Sequence, residues 1–398
     1  MRRAIWNSLP FVLTFVASVA HAQMETRTKG IPFGEKSSLH AGLDLGAGFD
    51  SNPDRLTSAT PDWKGTVRPR LSLSIPGEDI AVGLRGKVAI DHYFGIDRGT
   101  STSQIGGDLG ASLRIGKGPV SFDIKNGLTR TPTFFDEEGT VAVDERRFKQ
   151  WHNTGDALLK LAPGGGALEL RLGYTLLLEL YDDLPDAQQH GMHLSARLKF
   201  LPKTAAVFLS NLAFYSADDR LARRAAPYNV MVGLHGQLTS KISAIADIGF
   251  GDALVFDEGY FTSLTDTNLR TIVAHLDLRY SISRGIFVSG GYRRTVRPVI
   301  DLDAYVSDTL SLRFGLPLGD RFSFRAFGSY QFRNFAVGER EAQVLTADVR
   351  VAYWFYNWLN GSIAYQLLTQ TRDEGDPTSL ILEEYQRHQV RLFLGFRY

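Results

Sequence analysis

The feature that most limits what this chain can become is an alternation of apolar and polar residues with a period of two. It runs in blocks of a dozen or so positions from about residue 38 to Tyr398. In 321–333, Phe322, Phe324, Ala326, Tyr330 and Phe332 share one face, while Arg321, Ser323, Arg325, Ser329, Gln331 and Arg333 share the other. A period of two means strand, because successive side chains leave opposite faces. Strands of roughly 10 residues in up-and-down order are what a bilayer-spanning barrel requires. Period and turn signals predict strands near 38–50, 64–75, 80–93, 103–115, 119–131, 150–162, 167–181, 189–201, 204–216, 227–239, 241–253, 268–281, 285–297, 304–316, 321–335, 340–355, 358–371 and 383–398. The fold class is therefore all-β, a transmembrane up-and-down antiparallel barrel of about 18 strands.

The connections alternate too. After every second strand comes a tight link, such as Pro76-Gly77-Glu78-Asp79, Gly116-Lys117-Gly118, Pro202-Lys203 or Gly319-Asp320. These residues supply the backbone geometry of hairpin turns. The other links are longer, as at 51–63, 132–149, 217–226, 254–267 and 372–382. Short periplasmic turns and long outer loops are the rule for such barrels, which places both termini in the periplasm.

The N-terminus carries Arg2 and Arg3, an apolar run from Leu9 to Ala20, and Ala20-His21-Ala22 before Gln23. This is the pattern of a secretory signal peptide, 1–22, cleaved after Ala22. The run is too short for a membrane helix, which needs ~20 apolar residues. Residues 23–37 then form a short periplasmic segment, too small for a plug domain, and 38–398 form the barrel, in the outer membrane of a Gram-negative bacterium. With no cysteine, a disulfide scaffold and a lipid-modified N-terminal cysteine are excluded. The slightly negative mean hydropathy excludes a helical membrane protein but suits a barrel, in which every second strand residue meets lipid.

On 167–181 the lipid face is Leu168, Leu170, Leu172, Tyr174, Leu176, Leu178 and Leu180. The opposite parity faces the lumen and is rich in cations. Toward the short-turn end these are Arg70, Arg85, Arg114, Lys160, Arg171, Arg197, Lys199, Arg279, Arg313, Arg321, Arg325, Arg350, Arg391 and Arg397. Inward acids are fewer, and charges of one sign lining a pore concentrate the opposite ion. The expectation is an electropositive periplasmic vestibule favouring anions. The long loops lean acidic, with Asp136-Glu137-Glu138 and Asp373-Glu374-Gly375-Asp376 among them.

No catalytic constellation emerges. His193-Leu194-Ser195 places an imidazole and a hydroxyl on one strand face, but Met192, Leu194 and Leu198 claim the lipid side, leaving a polar pair in the lumen. No Gly-x-Ser-x-Gly or phosphate loop occurs. His235 and His275 have no partner at metal-ligand spacing, so no metal, cofactor, enzymatic activity or nucleic-acid partner is expected.

Val390, Leu392, Leu394, Phe396 and Tyr398 share one parity and end on an aromatic residue. This resembles the C-terminal signal read by the outer-membrane barrel-assembly machinery, with Phe396 and Tyr398 as its aromatic positions. Ala47-Gly48-Phe49-Asp50-Ser51-Asn52-Pro53 resembles the G-[YF]-D-S-N-P signature of the β-barrel porin type 2 family. Physically, Asp50, Ser51 and Asn52 can form an Asx or ST turn and Pro53 ends the strand. The resemblance implies an outer-membrane conduit like the secretion barrels of Wzx/Wzy-type polysaccharide pathways. A periplasmic polysaccharide export protein, the polysaccharide, and outer-membrane lipids with lipopolysaccharide would be its partners. Inward Arg residues would meet acidic sugars, and Trp354 and Phe393 would stack on sugar rings. The alternative is a diffusion porin for small anionic solutes, and a third reading is a structural or adhesive barrel whose lumen loop 132–149 blocks.

Overall fold

The computed structural model describes residues 30–33, 37–53, 60–95, 102–131, 150–163, 166–181, 186–217, 224–256, 269–283, 285–299, 303–335, 341–372 and 384–398. The strands are β1 Ile31–Phe33, β2 Ser37–Asp50, β3 Asp62–Ile75, β4 Ile80–Tyr93, β5 Thr102–Ile115, β6 Val120–Thr131 and β7 Gln150–Leu161. They continue with β8 Leu168–Tyr181, β9 Ala187–Leu201, β10 Thr204–Ala217, β11 Arg224–Gln237, β12 Ile242–Phe256 and β13 Thr271–Ser283. The last are β14 Ile286–Val299, β15 Asp303–Leu318, β16 Phe322–Phe335, β17 Glu341–Tyr356, β18 Leu359–Arg372 and β19 Tyr385–Arg397. From β2 onward each strand pairs antiparallel with the next, and β19 returns to β2, closing an 18-strand barrel. Full closure removes the open edges that a flat sheet would expose.

Strand β1 lies within the segment expected to precede the barrel. It pairs with the first residues of β2, Ile31 opposite Leu39 and Phe33 opposite Ser37. Tyr398 exchanges backbone hydrogen bonds with Ala41 just above, so β1 covers the edge of β2 that β19 is too short to reach. In the short turns, Gly116 and Gly319 take φ of 89° and 62°, where a side chain would be strained.

The apolar surface is on the outside. Leu109 and Leu312 are each 59% exposed and Ile248 58%, in a belt that continues around the ring through Leu84, Leu172, Val232 and Leu392. A water-soluble protein does not leave a patch of this size open, and a bilayer supplies the missing partner. Two bands of rings bound the belt. At the short-turn end Phe314 packs edge-on to Phe324, Tyr353 to Phe355, and Tyr356, Trp358 and Phe396 stack in series. Higher up, Tyr174, Tyr292, Tyr330 and Tyr365 each bond a polar side chain on the following strand: His190 at 2.7 Å, Asp308 at 2.5 Å, Gln343 at 2.7 Å and His388 at 2.8 Å. In all four cases the partner stands opposite the residue two positions past the tyrosine. A phenol with a bonded hydroxyl suits a membrane interface, apolar below and polar above.

Candidate functional site

Residues directly opposite one another in an antiparallel sheet form rows perpendicular to the strands. Barrel strands tilt by roughly 35–45°, so a row climbs the wall obliquely. One lumen-facing row reads Phe287, Gly315, Arg325, Arg350, Ala364, Arg391, Gly48, Lys64 and Tyr93, across β14 to β19 and on through β2, β3 and β4. Every charged member is a cation. The row enters near the short turn at Arg325 and leaves near the long-loop end at Lys64 and Tyr93. The adjacent row carries Arg279, Ser289, Arg313, Phe327, Asp348, Gln366, Gln389 and Asp50. Small residues separate the long ones: a Cβ on Gly48 would lie 3.4 Å from Arg391 Cγ and 3.8 Å from Lys64 Cγ, so glycine leaves both stems their space.

The two ends of the cationic row differ in how their charge is compensated. At the long-loop end Lys64 Nζ donates to Asp91 Oδ2 at 2.9 Å. Beside it Arg387 donates from Nε to Asp50 Oδ1 at 3.0 Å and from Nη2 to Asp50 Oδ2 at 2.5 Å, and Gln389 donates to the same carboxylate at 2.6 Å. These groups point into the tube yet are only 1–4% exposed. Toward the short turn, Arg391 Nη2 lies 4.0 Å from Asp348 Oδ2. Among the described residues, Arg325 and Arg350 have no carboxylate partner, although they stand directly opposite each other. Among the described residues four arginines lie over lumen rings: Arg279 over Phe287 at 3.9 Å, Arg313 over Phe327 at 5.5 Å, Arg68 over Phe393 at 5.0 Å and Arg333 over Tyr305 at 5.4 Å. A quadrupole face attracts a guanidinium without cancelling its charge.

The residues expected to make a periplasmic vestibule lie on lumen-facing strand positions, except Arg321, which sits in the β15–β16 turn. They divide into two kinds. At the mouth Arg70 and Arg397 share Asp44 at 2.6 and 2.7 Å, Lys160 and Arg171 share Glu169 at 3.0 and 2.5 Å, and Arg114 holds Asp123 at 2.7 Å while remaining 63% exposed. Arg85, Arg197 and Lys199 belong to this lower wall. Arg279, Arg313, Arg325, Arg350 and Arg391 instead join the oblique rows. Lys64, Arg68, Arg293, Arg333 and Arg387 carry the same parity but stand in the long-loop half of their strands.

Trp354 is 5% exposed and the Arg68 guanidinium lies over the Phe393 ring, so neither presents an open face for a sugar. His193 faces the lumen with its ring against Gly173, where a Cβ would lie 1.8 Å from it. Sequence spacing hides the partners of His235 and His275. Both bond Asp247, at 2.7 and 3.3 Å, and His275 Nε2 lies 3.4 Å from Arg293 Nη2. No cluster able to hold a metal occurs among the described residues. The expected signal cleavage site, the acidic tracts at 136–138 and 373–376, and loop 132–149 lie outside the described residues.

The 47–53 motif proves to be a seam. Besides its bonds to Arg387 and Gln389, Asp50 accepts from the Asn52 N–H at 3.2 Å, the Asx turn expected from sequence. Ser51 N–H donates to His388 O at 2.9 Å, His388 N–H returns to Ser51 Oγ at 2.8 Å, and Asn52 Nδ2 donates to Gln386 O at 3.3 Å. The motif therefore stitches the first barrel strand to the last.

One prediction concerns the packing beneath the row. A Cβ at Gly315 would lie 2.4 Å from Phe287 Cε1, so Gly315→Val must displace the ring that Arg279 covers. The expected cost is about 1–3 kcal/mol of overpacking, read as a lower unfolding midpoint in detergent, with Gly315→Ala less affected.

No protein-family model matches the chain, so the resemblance at 47–53 rests on those residues alone. No curated protein matches it in sequence. Solved structures do match in shape. OccAB4 of Acinetobacter baumannii superposes with a TM-score of 0.50 at 11% identity, covering 92% of this chain and 98% of that one. OccK3 (OpdO) of Pseudomonas aeruginosa gives 0.47 at 15% identity, over 90% and 95%. The alcaligin outer-membrane receptor FauA of Bordetella pertussis gives 0.45 at 12%, over 92% and 76%. The OccAB4 likeness supports the barrel fold. With its closed barrel, outward apolar belt and ring bands, the chain is an outer-membrane β-barrel of a Gram-negative bacterium.

Proposed function

We propose that the barrel is a diffusion channel for small anionic solutes. The observation that carries this reading is the oblique row Arg325, Arg350, Arg391 and Lys64, which crosses the wall from one mouth toward the other without an acid among its members. A fixed line of cations in the wall of a tube raises the local anion concentration along it. The acids that balance the charge sit beside the row or at the mouth, so the path stays positive while the wall as a whole is braced. Export of a polysaccharide finds less support, because the two rings expected to stack on sugars are buried or covered by an arginine.

The test is ion selectivity. Reconstituted in a planar bilayer under a salt gradient, the protein is expected to give a reversal potential of anion-selective sign. Arg391→Glu should move that potential toward zero or across it. A cation-selective wild-type channel would refute the reading.

A further inference from the structure

The geometry points to a binding site for a tetrahedral oxyanion dianion, of the inorganic phosphate or phosphate monoester class, at Arg325 and Arg350. This rests on the anion-channel reading above and goes further, assigning one place in the wall where the solute pauses.

Arg325 on β16 and Arg350 on β17 are a direct cross-strand pair. Like charges directly opposite each other destabilise a sheet, so a wall selected for stability alone would not keep them there. Among the described residues neither has a carboxylate partner. In the same row Gly315 and Ala364 add no bulk between the guanidinium groups and the lumen. Along the strands come Ser323 and Phe327 on β16, Asp348 and Ala352 on β17. Asp348 is the acid on these two strands, and Arg391 lies 4.0 Å from it. Arg313, opposite Phe327 and over its ring, adds a further cation.

Four guanidinium groups thus share two carboxylates, Asp348 beside Arg391 and Asp277 beside Arg313. A single-charged carboxylate solute leaves part of this positive charge unmet, whereas a dianion matches the excess and offers oxygens to both strands at once. Each guanidinium presents a planar fork of donors suited to two phosphate oxygens. The rings of Phe287, lying over Gly315, and Phe327 flank the pair and lower the local polarity, which strengthens the attraction.

The experiment uses the full-length protein in planar bilayers carrying chloride, with inorganic phosphate, sulfate and acetate added in separate arms. Phosphate is expected to block the chloride current of the wild type at a concentration at least about tenfold lower than acetate. Sulfate should act like phosphate, which assigns the site to dianion charge and shape. Arg325→Gln and Arg350→Gln should each raise the half-blocking phosphate concentration about tenfold or more, and Arg350→Lys, which keeps the charge but loses the fork, should fall between. Titration calorimetry of phosphate into the detergent-solubilised protein reads the same site without conductance. The gel mobility of unheated samples checks that each variant folds. An anion-selective current that phosphate does not block, or a block unchanged in both Gln variants, overturns the site and leaves the channel reading standing. A cation-selective wild-type current overturns that reading and the site with it.

Discussion

Arg387→Leu is expected to cost about 3–5 kcal/mol of barrel stability, because it strands a buried carboxylate that closes the ring. Asp50 is 1% exposed, and its two shortest bonds come from Arg387 and Gln389 on the last strand. With the guanidinium gone, only the Gln389 amide and the Asn52 N–H remain to hold the charge. The measurement is the temperature at which the compact barrel converts to the unfolded band on a detergent gel. Asp50→Leu should be similarly damaging, since it removes the carboxylate that holds the buried Arg387. The double variant is the decisive comparison, because removing both charges leaves nothing to desolvate and should recover much of the loss. If the double variant loses the sum of the two single losses, the ion pair is not what fastens the seam.

Leu312→Arg is expected to lower the free energy of folding into lipid vesicles by about 2–4 kcal/mol, the cost of a guanidinium in the hydrocarbon layer. Leu312 is 59% exposed, between Leu310 and Phe314 in the outward belt. Ser311→Arg, one residue away, places the same side chain in the lumen, where it should change conductance and leave the folding energy nearly unaltered. The pair is a direct test of which parity meets lipid. Equal destabilisation of the two would show that the faces have been assigned wrongly.

Most of the architecture was legible because a strand's period is written in consecutive residues. The strand expected at 80–93 is β4 from end to end, and that expected at 321–335 differs from β16 by one residue. Departures have local causes. The eleventh strand begins at Arg224 and not at Pro227, since proline reads as a break yet sits in register opposite Ala253. Strand β1 spans three residues and so carries no period to detect.

The candidate site was legible only in part. Parity places Arg325, Arg350 and Arg391 in the lumen, but their alignment depends on register, and a shift of two residues would keep every face while dissolving the row. The seam was hidden for another reason. Asp50 and Arg387 are separated by 337 positions, and nothing near either one announces the other. The motif at 47–53 marks half of that contact, and sequence alone read it as a local turn.

The oblique row also has a kinetic meaning. Neighbouring strands are ~4.8 Å apart, so Arg325 to Arg350 is one short step, and Arg350 to Arg391 and Arg391 to Lys64 are steps of ~10 Å, each near the screening length of ~8 Å at physiological salt. An anion leaving one rung is therefore already within the field of the next, and passage becomes a series of short hops around the axis. Deleting a middle rung such as Arg391 leaves ~19 Å between Arg350 and Lys64 along the row, bridged only from beside it by Arg68 and Arg387. Throughput should then fall more steeply when Arg68 is removed along with Arg391 than when either is removed alone.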